Sequence, residues 1–146
     1  MMSKEKKTPD PEKRFKGLPI RVDRIDGIEW KLVRSVSYKT QAGTTSTVRK
    51  GFVFDFASVP RVFYCIYPPA GNGKDHYGVA ATFHDWLYVH RKIEGKKVSR
   101  IEADDLFLEI MLYVGVRAFT AKTMYRAVRM FGWIPWNKRK PEDIIP

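Results

Sequence analysis

The sequence predicts an α+β domain: a small N-terminal antiparallel β-hairpin or sheet packed on about three α-helices. Two stretches before residue 57 alternate apolar and polar residues, as half-buried strands do. After residue 76 the apolar spacing becomes helical. Strands therefore come first and helices follow, the order of an α+β fold.

Each element has a local reason. Residues 1–17, "MMSKEKKTPDPEKRFKG", are charged, and Pro9 and Pro11 block regular structure, so they read as a flexible basic tail. "IEWKLVRSVSYK" (28–39) sets Ile28, Trp30 and Leu32 in alternation, then Val33 and Val36. That pattern predicts a strand with a bulge. "TQAGTTS" supplies a turn around Gly43, and "TVRKGFVFDF" (47–56) is the second strand. "HYGVAATFHDWLYVHRK" (76–92) predicts a helix, and "KIEGKK" a polar loop. "SRIEADDLFLEIMLYVG" (99–115) opens with Ser99 and Glu102 at capping-box spacing, and Gly115 is a natural stop. A third helix runs from Thr120 or Ala121 to Phe131 and ends at Gly132. "WIPWNKRKPEDIIP" holds three prolines and is expected to be irregular, stapled by Trp133, Ile134 and Trp136. The division is one domain over 18–136 and an irregular C-terminal tail over 137–146.

Composition narrows the function classes. The chain has 146 residues, 44% hydrophobic and 14% aromatic, enough to bury a core. Its single cysteine, Cys65, excludes an internal disulfide and a four-cysteine zinc site. No apolar run approaches the ~20 residues that span a bilayer. The N-terminus lacks an apolar core and does not read as a secretory signal. The net charge of +11 favours anionic partners: nucleic acid, phospholipid head groups or acidic proteins. Lys122, Arg126 and Arg129 form a basic stripe continuing into "NKRK". It could touch phosphate, but no nucleic-acid fold signature accompanies it, and a solvated face is the plainer reading.

The chemistry concentrates in "HDWLY", residues 84–88. At 100° per residue His84 shares a face with Ala80, Ala81, Leu87 and Tyr88, while Asp85 points about a quarter turn away. On the next helix Asp104 sits amid Ile101, Phe107, Leu108 and Met111, with Asp105 at the stripe's edge. A carboxylate there is costly to bury unpaired. Its expected partners are His84 and Tyr88. An imidazole held by a buried carboxylate can deprotonate water or a hydroxyl. Asp85 could hold a hard cation such as Ca²⁺. The same residues would equally serve as a structural latch between two helices.

Other motifs carry less. In "FDFASVPR" (54–61), Asp55 could join the site, or Asp55 and Ser58 could simply make a turn before Pro60. Ser58 lacks a G-x-S-x-G context, so a serine hydrolase is not expected. His76 and His90 read as surface residues, and H-E-x-x-H is absent. "AGNGK" (70–74) reads as a plain turn rather than a phosphate loop.

Two resemblances follow from these motifs. "FVFDFASVPR", "FHDWLY", "SRIEADDLF" and "MYRAVRMFGW" occur in order, and the run resembles a domain-of-unknown-function family (thirteen fifty-three) found in tailed phages and prophages. That resemblance implies a phage origin, a virion or host-cytoplasm setting, phage structural proteins as partners, and no particular activity. The helix pair resembles the core of phospholipases A2, most closely the parvovirus capsid type, in its H-D-x-x-Y and A-D-x-x-F motifs. They read here as His84, Asp85 and Tyr88, and as Ala103, Asp104 and Phe107. The resemblance implies water activation by His84, Ca²⁺ on Asp85, and orientation of His84 by Asp104 and Tyr88. It departs at "YCIYPPAGNGKDHYG", where Pro68 and Pro69 stand in place of a glycine-rich calcium loop. The leading expectation is a small ester hydrolase acting on anionic phospholipid. The runner-up is a non-catalytic phage tail or virion component. A nucleic-acid accessory protein, driven by charge, is third.

Overall fold

The computed structural model describes residues 13–18, 20–25, 29–54 and 76–138, the side chains of residues 76 and 77 excepted. Asp55, Ser58, Cys65, the segment "YCIYPPAGNGKD" and residues 139–146 lie outside the described residues. Among the described residues six short strands come first: β1 (Phe15–Lys16), β2 (Val22–Arg24), β3 (Trp30–Leu32), β4 (Val36–Lys39), β5 (Thr45–Val48) and β6 (Val53–Phe54). Then follow α1 (His76–His90), β7 (Lys92–Ile93), β8 (Lys96–Lys97), α2 (Arg100–Tyr113), α3 (Ala118–Phe131) and α4 (Trp133–Lys138).

The two expected strands form, but each is broken. The 28–39 stretch divides into β3 and β4, and the 47–56 stretch into β5 and β6. The halves belong to two antiparallel sheets, ordered β1-β4-β5 and β2-β3-β6. One register runs through both, since Lys31 faces Val53 and Val36 faces Val48. This is a long hairpin bent midway. At the bend the Lys50 N–H donates to the Ser35 hydroxyl at 2.8 Å and the Phe52 N–H to the Arg49 carbonyl at 3.2 Å. Side chain and turn thus take over bonds the ladder drops. The sheet also begins earlier than the sequence indicates. Phe15, in the stretch read as tail, pairs with Tyr38 and is 5% exposed.

The core lies between this bent sheet and the helices. Phe15, Tyr38 and Phe83 pack ring to ring, with centroids 4.7 to 6.3 Å apart. The Tyr38 hydroxyl donates to Glu109 Oε1 at 2.9 Å, tying sheet to α2. From Gly78 to Tyr88, α1 is buried on nearly every side, Val79 and Trp86 being only half-buried. It is the central helix, packing on β5, β6, α2 and α4. Helices apolar all round occupy such positions.

The capping box forms as expected. The Ser99 hydroxyl accepts from the Glu102 N–H at 3.3 Å, and Glu102 Oε2 accepts from the Ser99 N–H at 2.7 Å. The α2 helix stops in a Schellman motif: the Val116 N–H reaches the Met111 carbonyl at 2.9 Å and the Gly115 N–H that of Leu112 at 3.3 Å. Gly115 takes the left-handed conformation this stop requires (φ 94°).

Two expected loops are ordered instead. "KIEGKK" is the β7–β8 hairpin, turned by Glu94 (φ 50°) and Gly95 (φ 78°), the two left-handed residues of a tight hairpin. "WIPWNK" is the short helix α4, with Pro135 in its first turn where a missing N–H costs no helical bond. Of the three expected staples, Trp136 packs against the core, while Trp133 is 54% and Ile134 39% exposed.

Candidate functional site

Three helices converge on one carboxylate. Asp104, on the inward face of α2, is completely buried. Its Oδ1 accepts from two groups of α1: His84 Nε2 at 2.6 Å and the Tyr88 hydroxyl at 2.6 Å. Its Oδ2 accepts from Arg129 Nη1 of α3 at 2.7 Å and, more distantly, from Arg100 Nη1 of its own helix at 3.4 Å. Arg100 Nη1 also reaches the Val128 and Arg129 carbonyls at 3.2 Å each. It thereby joins the start of α2 to the end of α3.

The expected triad of His84, Tyr88 and Asp104 is thus assembled, and the sequence reading missed both arginines. Arg100 had a signal: it precedes Asp104 by four residues, one helical turn. Arg129 belongs by sequence to the basic stripe of Lys122 and Arg126, yet its head turns inward to the carboxylate.

The electrostatics follow from burial. Desolvation pushes the Asp104 carboxyl up, but hydrogen bonds from His84, Tyr88 and Arg129 outweigh it and hold the group below the usual carboxylate range. Desolvation dominates at His84, whose imidazole is lowered despite Asp104 and is neutral at pH 7. The Tyr88 hydroxyl is raised, by burial first and then by the bond to Asp104, so it remains a donor. With Asp104 ionised, the proton of the neutral imidazole sits on Nε2. The ring's lone pair is then on Nδ1, directed away from the carboxylate. The ring is held between Tyr88 and Phe107, with centroids 4.2 and 4.7 Å away.

Gly132 permits this geometry. A Cβ there would drive into the Tyr88 hydroxyl and the Val128 carbonyl. Trp136 closes the same corner, its ring 5.1 Å from Tyr88 and its carbonyl accepting from Arg91.

The remaining candidates lie elsewhere. Asp105 is exposed and accepts from the Tyr125 hydroxyl at 2.6 Å. It borders a cavity of about 730 Å³ whose lining includes Arg14, Tyr38, Glu109 and Tyr113 but not His84. Asp85 is fully buried, not on an open flank. Ca²⁺ takes 6–8 oxygens. Among the described residues no three His, Cys, Asp or Glu side chains converge in a way that could hold a metal. His90, expected at the surface, is half-buried and stacked on Trp86 at 3.5 Å.

The family model for proteins of unknown function DUF1353 matches residues 30–128, which include His84, Tyr88 and Asp104 and most of the helical layer. The chain belongs to the DUF1353 family. No curated protein and no solved structure matches it. The DUF1353 segment stops one residue short of Arg129, so that ligand of Asp104 falls just beyond it. No helix among the described residues is long and apolar enough to cross a membrane.

Proposed function

We propose that His84 and Asp104 are the general-base pair of a small ester hydrolase, with phospholipid as the substrate class. The observation that carries this is the bond from His84 Nε2 to Asp104 Oδ1, which leaves the ring's lone pair on Nδ1. In the reaction, Nδ1 takes a proton from water as the water oxygen attacks the ester carbonyl carbon. Asp104 stabilises the imidazolium that forms. The tetrahedral intermediate then expels the alkoxide, which recovers the proton from Nδ1, leaving acid and alcohol. Tyr88, Arg129 and Arg100 keep Asp104 ionised and fixed. A bound Ca²⁺ would polarise the carbonyl. Asp85 is the carboxylate nearest in sequence that would hold it.

A second reading has its own support. His84 is 1% exposed, and two arginines complete the carboxylate's bonding. Those are properties of a clasp that locks three helices, as a non-catalytic component of a phage tail or virion would use it.

Fatty-acid release from anionic phospholipid vesicles, with and without a calcium chelator, separates the two. The hydrolase reading expects release by the native chain and none by His84→Gln, with both proteins folded by circular dichroism. Equal release by both, or none by either, sinks it. Recovery of the protein by mass spectrometry from purified particles would support the clasp reading instead.

A further inference from the structure

The outer face of α3 and the start of α4 leave a surface that packing does not use. The inner face of α3 docks through Ala121, Met124 and Val128. On the opposite side Phe119, Lys122, Arg126 and Met130 fall on one narrow face at 100° per residue, and all four are exposed. Phe119 is 84% exposed and Met130 64%. Past Met130, at the helix end, Phe131 and Trp133 are also 52% and 54% exposed, Phe131 about a third of a turn round from the stripe. Exposed apolar residues scattered singly need no explanation, but a contiguous set does.

Along this stretch the charge has one sign. From Ala118 to Lys138 the chain carries no acidic residue; Lys122, Arg126 and Lys138 remain for a partner, Arg129 being turned to Asp104, and Arg139 and Lys140 follow directly. Large apolar side chains alternating with cations match an anionic lipid surface. The cations meet the head groups while Phe, Met and Trp enter the boundary below them. A second copy fits poorly, because the same face would oppose its own charge. Single-stranded nucleic acid would use the cations and stack a base on Phe119, but it gives Met130 no comparable role.

We infer that the outer face of α3, with Phe131 and Trp133, docks the protein on anionic phospholipid membranes. The surface stands apart from the dyad, and docking does not need His84 to be catalytic.

Co-sedimentation of the full chain with vesicles tests this. Binding is expected to phosphatidylcholine vesicles containing phosphatidylglycerol, and not to phosphatidylcholine alone. It should fall as salt rises. Removing each cation, in Lys122→Gln and Arg126→Gln, should weaken binding about fivefold, and the double variant on the order of 25-fold. Phe119→Ser with Met130→Ser should also release the protein, and both pairs are exposed, so melting should not change. Trp133 emission should be quenched by brominated acyl chains, and Trp133→Phe should remove that quenching. His84→Gln should bind as the native chain does, which separates this surface from the hydrolase reading. Absence of binding to the anionic vesicles overturns the inference. So does binding that survives both double variants, or salt-sensitive binding to single-stranded DNA without vesicle binding.

Discussion

Replacing Asp104 with asparagine removes one charge and almost no volume. The geometry dictates the outcome. Oδ2 faces two guanidinium donors, Arg129 at 2.7 Å and Arg100 at 3.4 Å, so the amide nitrogen cannot occupy that side. It must take the place of Oδ1, where it donates to His84 and Tyr88. His84 Nε2 then becomes an acceptor, and its proton moves to Nδ1. Two consequences follow. Arg129 loses its charged partner, and breaking a buried pair costs about 3–5 kcal/mol. Here the Arg129 side chain is 30% exposed and partly rehydrates, which lowers the cost to about 2–3 kcal/mol. In a chain of this size that is a fall in Tm of roughly 6–10 °C. The second consequence is a tautomer switch with no large change of shape. Under the hydrolase reading it removes the lone pair from Nδ1 and abolishes activity even in the folded protein. Denaturant unfolding followed by circular dichroism measures the first effect, and ¹⁵N chemical shifts of the His84 ring the second. A loss below about 0.5 kcal/mol, within the range of ordinary surface changes, would refute the buried-pair reasoning. An Nε2–H tautomer in the variant would refute the proton assignment.

Acid should destabilise the fold in two stages. Burial holds His84 below its ordinary 6.5, so the unfolded chain binds a proton there first. Stability should be full above pH 6.5 and fall below it by up to about 1.4 kcal/mol per pH unit until His84 itself protonates, and His84→Gln should remove that stage. Asp104 is held below 3.8, so its contribution is present above that value and lost at lower pH. If hydrolysis is detected, its rate should fall on the acid side with an apparent pKa below 6.5, and a midpoint above it would contradict a neutral buried imidazole. Gly132→Ala should cost about 1–3 kcal/mol by pressing on Tyr88, with thermal melting as the readout. Ser99→Ala should cost about 1 kcal/mol by opening the capping box, and an unchanged melt would mean the cap carries no stability.

Much of this architecture was legible in the sequence because it rests on local rules. The α2 helix announced both ends, through Ser99 with Glu102 and through Gly115. The apolar setting of Asp104 demanded partners, and the facing helix offered His84 and Tyr88. The sequence was less informative where long-range contacts decide. The bulge expected after Leu32 marks an irregularity there, but nothing local shows that the chain bends and places the two halves in different sheets. Two-residue strands such as β7 and β8 are too short to show alternation, although Glu94-Gly95 was a turn signal. Arg129 shares a helix side with Lys122, and only the packing of α3 on α2 separates the cation bonded to Asp104 from the solvated one. The fate of Asp85 depended on which surfaces cover α1, which periodicity does not reveal.

The arginine that neutralises Asp104 from α3 also imposes an order of events during synthesis. His84, Tyr88 and Asp104 leave the ribosome before residue 129 does. Until then the carboxylate has no cation from the third helix, and burying it is at its most costly. Docking of α3 therefore completes the carboxylate's bonding, which Arg100 alone supplies from the cationic side until then. A chain interrupted after α2 would hold His84, Tyr88 and Asp104 and still lack the cation from α3 that helps keep the carboxylate ionised.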